Sequence, residues 1–439
     1  MPGLTPRIVS LLTSAVAAAA TRLRESEPRD LRSVQRLAGS IVSYAVEPAI
    51  GVHSTITLLR SLPQCPHFTE FREATAHEWF PSWMATRFAG WATAPDQVVA
   101  RLGRAVVLHE GSSAEATVDT FARAVARERV RMRFVAHLEN NAPVPADLRL
   151  GFSNGVVYRA LGQAELEKLL EFDLFSKPQL DAFANKTVLE REFETELFFE
   201  PRSGPEDWWL DTARPVEQVH SALHAFKSGA SPIALFRLEP AETATLVSGL
   251  TIGERTPTLA FFPIAAEELA GLSSFVDHCL EPCRKSLELA KDRLRDAESR
   301  RSPIDGIVDA FVGIEALLNS ENAPELTMRV ALNYACLCSR EQRRARYRTL
   351  KDLYKVRSKI VHGDYKANGT FTIAGVSKQV SEIAAESKAI LRDLIRTFVM
   401  DEQLRHKAKV DSAFWEERYF ADDAGGAGPL CDPQREPPC

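Results

Sequence analysis

The sequence predicts a multidomain α+β protein: a helical N-terminal region, a mixed α/β sheet in the middle and an all-α bundle at the C-terminal end. Three observations carry this. The chain has 439 residues, 45% hydrophobic and 26% charged, the balance of a globular protein with two or three domains. At Arg131 the spacing of apolar residues changes from helical to period two. Beyond Ala265 it becomes helical again and stays so. The boundaries that follow are a helical region over 1–130, an α+β middle over 131–265, a helical domain over 266–410 and a disorder-like tail over 411–439.

Residues 1–130 are rich in Ala and Arg and read as helices broken at Pro48, Pro63, Pro66, Pro81 and Pro95. Trp79, Phe80, Trp83 and Trp91 could form a ligand platform, but core packing explains them more economically. Met132, Phe134, Ala136 and Leu138 then alternate with Arg131, Arg133, His137 and Glu139, the pattern of a half-buried strand. Leu148, Leu150 and Phe152 alternate next, and Asn154-Gly155 signals a type I′ turn into Val156–Tyr158. A short helix over Ala164–Leu170 precedes a strand from Leu189 to Glu200, which sets Glu190, Glu192, Glu194 and Glu196 on one face. Such a row can bind cations, yet solvent-facing glutamates are the ordinary reading. His220 and His224 could be half of a metal site, but no third ligand lies nearby in sequence, and they read as helix residues. Strands at Ile233–Leu238 and Thr258–Phe262 complete the region.

Glu267 to Arg300 reads as one long helix or two joined near Pro282. Pro303 suits the first turn of a helix from Ile304 to Asn319. Pro324 opens another that runs to Cys338, Glu341–Val361 forms the fourth, and Gly363 stops it. A loop with Gly369 and Gly375 leads to a fifth helix over Val376–Leu404.

The net charge of −5 and pI near 6.1 exclude a uniformly basic nucleic-acid coat. The charge is uneven, however. Ten Lys and Arg against three acidic residues give the segment Arg340–Lys366 a charge of +7, leaving −12 for the rest. A polyanion-attracting surface is the reading favoured over a merely solvated face. Seven scattered cysteines without a CxxC pair fit reduced structural thiols, and so a cytoplasmic protein without a metal site. The apolar run Ile8–Ala20 loosely imitates an export signal, but Ser10, Thr13 and Ser14 interrupt it and only Arg7 precedes it. No run reaches the apolar length of a membrane-spanning helix.

The fourth and second C-terminal helices each carry a misplaced charge. Leu350, Leu353, Tyr354, Ile360 and Val361 form an apolar stripe, and Arg357 falls on it where a leucine is expected. Ile304, Ile307, Val308, Phe311, Ile314, Leu317 and Leu318 form another, and Glu315 falls on that one. A charge on a buried face is costly unless paired. Either Glu315 pairs with Arg357 or Arg329, or it sits at the edge of a wide stripe. His362 follows Arg357 at the helix end, where the macrodipole favours its protonated form. Five residues of helix separate the two by about 140°, so a single unbroken helix cannot point both into one small pocket. Either the helix opens at Gly363, or two copies share one cleft.

These residues resemble a known family. Ile-Glu315-Ala-Leu-Leu, Arg329 after Glu325-Leu326, and Leu353-Tyr354-Lys-Val-Arg357-Ser358-Lys-Ile-Val-His362-Gly363 are similar to the Apea-like branch of the HEPN superfamily. Its ribonucleases are marked by Arg, a polar residue, a short spacer and His, and four residues separate Arg357 from His362 here. The five-helix pattern agrees, and the strands upstream look like the sheet that often precedes this domain. The resemblance implies metal-independent RNA cleavage by the substrate's 2′-OH, without a cofactor. It makes Arg357 and His362 catalytic, with Ser358 and Glu315 supporting them and Lys351, Lys355 and Lys359 guiding RNA. It further implies a homodimer acting in antiphage defence or as a toxin, with the first 265 residues sensing a phage or stress trigger. The alternative is a HEPN module that dimerises and binds RNA or a nucleotide without cutting.

Overall fold

This computed structural model describes residues 5–25, 32–37, 40–46, 62–78, 95–108, 113–127, 129–138, 142, 144–145, 147–161, 187–196, 205–229, 233–240, 249–252, 262–300, 302–319, 326–364, 369–406 and 412–420. The aromatic cluster from Trp79 to Trp91, the helix expected over 164–170, all but Phe262 of the strand expected over 258–262 and the tail beyond Phe420 lie outside the described residues.

Helix α1 (Pro6–Glu25) buries Ile8, Leu12, Ala15, Val16, Ala19 and Leu23, spaced three and four apart. It packs with α2 (Pro66–Glu78), α3 (Pro95–Leu108) and α4 (Ala114–Arg127) around an apolar core of their own. Between α1 and α2 lies an antiparallel hairpin, β1 (Arg32–Leu37) and β2 (Ser40–Val46), in a stretch the sequence reading made helical. The pairing passes from Gln35 with Ser43 to Arg36 with Ile41, so Val42 of β2 is an extra residue that breaks that strand's alternation.

The alternation after Arg129 builds β3 (Arg129–Leu138), the inner strand of an antiparallel sheet. With β4 (Arg149–Gly151), β5 (Val156–Ala160), β6 (Thr187–Glu196), β7 (Ile233–Pro240) and β8 (Gly249–Ile252), the order is β4-β5-β6-β3-β7-β8. Four strands make its body, and the short β4 and β8 form its edges. Met132, Phe134, Ala136 and Leu138 share a core with Ala213, Val216, Val219 and Leu223 of α5 (Pro205–Phe226).

The sheet departs from the sequence reading in three respects. Val135 and His137, on the opposite face of β3, are fully buried as well, so its later half is covered on both sides. Glu190 is not solvated. Arg159 Nε reaches its carboxylate at 3.1 Å and Arg133 approaches to 3.8 Å, while Glu192 pairs with Arg131. Two guanidiniums offset a desolvation cost that a lone carboxylate could not bear. The turn at Asn154-Gly155 is not type I′, because only Gly155 has positive φ (79°). It is a type I turn closed by a glycine bulge, with Gly155 N–H on Phe152 O at 2.9 Å. The Asn154 amide instead donates to Pro215 O of α5 at 2.9 Å.

The apolar core of this layer continues without a break into the helices that follow. These are α6 (Leu269–Leu280), α7 (Lys285–Ser299), α8 (Pro303–Leu318), α9 (Leu326–Cys336), α10 (Arg340–Val361), α11 (Val380–Met400), α12 (Glu402–His406) and α13 (Ser412–Phe420). Glu267–Arg300 thus holds two helices, parted where Glu281 turns extended before Pro282. Cys336 ends α9 and Cys338 lies in the turn beyond it, rather than both inside one helix. The region is helical but not all-α: β9 (Thr370–Ile373) and β10 (Val376–Gln379) form a hairpin between α10 and α11. Ala374 and Gly375 take φ of 50° and 86°, a primed two-residue turn without the usual asparagine signal. Helix α11 therefore starts at Val380 rather than Val376, and there the Glu382 carboxylate accepts the Gln379 N–H at 2.7 Å. None of the described helices is long and apolar enough to cross a membrane.

Helix α8 lies among α7, α9, α10 and α11, and Gly313 sets how near α11 comes. A Cβ there would meet Leu391 Cδ2 at 2.7 Å in the packed interior. Gly313→Val is expected to lower stability by about 2–3 kcal/mol in denaturant titration.

At the end of α5, His220 and His224 are buried with Nε2 to Nε2 at 3.1 Å, so one ring donates its proton and the other accepts. Arg392 Nε of α11 donates to His224 O at 3.0 Å. Burial, then the Arg392 charge, pushes the His224 pKa down to about 3. The folded chain keeps this ring neutral while the unfolded chain protonates it below its ordinary value. Stability is therefore complete above that value and falls on acidification, by about 2 kcal/mol at pH 5. Urea midpoints at pH 7 and pH 5 should show this drop, and His224→Gln should flatten it.

Candidate active site

Helix α10 presents two unlike faces. At 100° per residue, Arg340, Arg344, Arg348, Lys351, Lys355, Lys359 and His362 fall within about 100° of arc. All are exposed except Lys351, which is partly covered. The 22-residue helix thus carries a cationic ridge about 33 Å long. Leu350, Leu353, Tyr354, Val356 and Ile360 are buried on the other side. Val361 is 51% exposed, off the stripe to which its spacing assigned it, and Val356 joins that stripe instead. The lysines differ in their surroundings. Lys355 Nζ pairs with Asp352 at 3.0 Å, Lys351 Nζ lies 5.5 Å from the Tyr347 ring centroid, and Lys359 is exposed.

Arg357 projects from the buried side, and the facing helix answers its charge. Its Nη2 lies 3.4 Å from Glu315 Oε1 of α8, with both side chains about one fifth exposed. The carboxylate pairs with Arg357, not with Arg329. The same oxygen accepts the Tyr354 hydroxyl at 2.7 Å. The Tyr354 ring stands edge-on to Phe311 at 5.5 Å, and the guanidinium carbon lies 5.6 Å from that ring's centroid. Burial, reinforced by Glu315, pushes the Tyr354 phenol pKa up, so the hydroxyl remains a donor at neutral pH. The apolar stripe accounts for the Tyr354 ring but gives no sign of a partner for its hydroxyl. The short spacing from Phe311 to Glu315 did not reveal that one tyrosine would bond the carboxylate.

The helix does not open before His362. His362 N–H stays on Ser358 O at 3.0 Å, and the residue keeps helical φ and ψ of −85° and 0°. Gly363 then turns the chain with φ of 77°. Its N–H bonds Ile360 O at 3.1 Å and Asp364 N–H bonds Lys359 O at 2.8 Å, a Schellman closure. His362 therefore stands exposed on the basic ridge, while Arg357 is held on the opposite side of the same helix end. Ser358 is partly exposed one turn before His362. Comparison with protein-family models, curated proteins and solved structures finds no match to this chain.

The hairpin β9–β10 is tied to α10 by Asp352, whose Oδ2 accepts the Ala374 N–H at 3.1 Å. Burial opposes ionisation of this carboxyl, but hydrogen bonds from Lys355 and the Ala374 N–H hold it below the usual range. Ile373 is buried and Phe371 partly so against the main core. No spacing in the sequence linked Asp352 to a turn 22 residues later. Among the described residues, no group of three or more His, Cys, Asp or Glu is arranged to hold a metal ion.

A Cβ at Gly363 would meet open space, so its constraint is backbone conformation alone. Gly363→Ala is expected to cost about 1–2 kcal/mol by denaturant unfolding, with no change in the folded core.

Proposed function

We propose that this chain is a metal-independent endoribonuclease of the Apea-like HEPN type that works as a homodimer. The observation that carries the reading is the end of α10. A cationic ridge leads to an exposed His362, and a guanidinium five residues earlier is held by Glu315 and Tyr354 at the edge of the bundle. The ridge suits an RNA backbone by its charge rather than by any sequence readout, with Lys351, Lys355 and Lys359 nearest the histidine.

The chemistry follows from the side chains. His362 takes the proton of a ribose 2′-OH, or returns one to the leaving 5′ oxygen. Arg357 offers planar N–H donors to the phosphate oxygens as charge builds on them. Ser358 positions one of those oxygens by a hydrogen bond. Cleavage leaves a 2′,3′-cyclic phosphate and a 5′-OH, and DNA, lacking the 2′-OH, resists. Because Arg357 and His362 lie about 140° apart on a helix that stays wound, two copies of α10 facing each other are needed to fill one cleft. The remaining regions suit a sensor for a phage or stress trigger, and the activity suits a cytoplasmic toxin or antiphage effector.

Purified protein incubated with total RNA in EDTA is expected to cut it. Arg357→Ala and His362→Ala should each lower the rate by on the order of 100-fold or more, and an all-deoxy oligonucleotide should survive. Unchanged cleavage in both variants would exclude this site. RNA binding without cutting in cells and in vitro would favour the non-catalytic binding module.

A further inference from the structure

An arginine that stabilises a transition state must be aimed before substrate arrives, and its long side chain has several free torsions. Around Arg357 two contacts restrict them, and a third bond fixes one of the partners. The guanidinium lies 3.4 Å from one oxygen of Glu315 and 5.6 Å from the Tyr354 ring centroid, and Tyr354 bonds that same oxygen at 2.7 Å. The tyrosine bond is the short one. Arg357 reaches the same oxygen at a longer distance, through Nη2, rather than as a two-pronged fork. Charge is balanced, yet the guanidinium's donors are not consumed. Its Nε is enclosed and has no hydrogen-bond partner among the described residues, so contact with a phosphate falls to the terminal nitrogens of the partly exposed side chain.

We propose that Tyr354 is a positioning residue for the reaction proposed above. Its hydroxyl fixes the Glu315 carboxylate, and the carboxylate aims Arg357 at a phosphate without capturing it. Phe311 holds the tyrosine ring from its edge, 5.5 Å between centroids, so the relay starts in the apolar core of α8. Tyr354 and Arg357 are three apart on α10 and share a side of the helix. Glu315 comes from α8, so the device operates only when the two helices are docked.

Tyr354→Phe removes one oxygen and keeps the ring. In RNA cleavage it should lower kcat on the order of tenfold with KM within about twofold, the loss of one hydrogen bond to a charged group. In an Arg357→Ala background it should cause no further loss. A wild-type rate in Tyr354→Phe, or an equal additional loss without Arg357, would overturn the proposal and leave a packing role. The second arm needs no activity. The Arg357 Nε–H signal, assigned by its absence in Arg357→Lys, should lose order in Tyr354→Phe when followed by NMR relaxation. Unchanged order overturns the positioning role. If wild-type protein cuts no RNA, the ribonuclease reading fails by itself, and the NMR arm still decides what Tyr354 does.

Discussion

A guanidinium on the buried side of α10 must find a counter-charge, and that requirement organises the C-terminal half of the molecule. Arg357 occupies the middle of an arc otherwise lined by Leu350, Leu353, Tyr354 and Ile360. Left alone there it would cost several kcal/mol. Glu315 removes the cost only if α8 and α10 dock in one register, because the carboxylate must meet both Arg357 and the Tyr354 hydroxyl. A polar link of this kind contributes less to raw stability than to choosing one packing among many similar apolar ones.

The docking of α8 is itself tightly specified. Gly313 allows α11 to approach where any side chain would strike Leu391, and Ser302 with Pro303 sets the start of the helix. From that base α10 extends its cationic ridge outward and ends in a Schellman closure at Gly363. The closure explains why His362 stays in register with the ridge. A helix that frayed one turn earlier would lose the bond from His362 N–H to Ser358 O, and with it the face the imidazole shares with the lysines. Asp352 adds a second restraint by holding the tip of the β9–β10 hairpin against the same helix.

Much of this was legible in the residues. The strand over Met132–Leu138, the helices begun by Pro303 and ended by Gly363, and the misplaced charges of Arg357 and Glu315 all follow from local periodicity and capping. What escaped were pairings whose signals are not local. The hairpin at β1–β2 was hidden by its own register shift, and that at β9–β10 by an Ala-Gly turn followed by residues that suit a helix equally well. Glu190 read as solvated because its three alternating neighbours do, yet Arg159 and Arg133 arrive from adjacent strands and change its environment.

The sequence by itself determined that a cation and a carboxylate would sit on apolar helical faces, and that a histidine would close a basic helix beside a chain-stopping glycine. These are consequences of spacing along one chain, where a period of 3.6 residues assigns every side chain to a face. Only the tertiary structure decided which acid meets which base, that a tyrosine hydroxyl occupies the same oxygen, and that His362 and Arg357 face opposite ways on an unopened helix. The physical reason is that pairing energies depend on distances between helices, and those are set by close packing at positions such as Gly313 rather than by any local pattern.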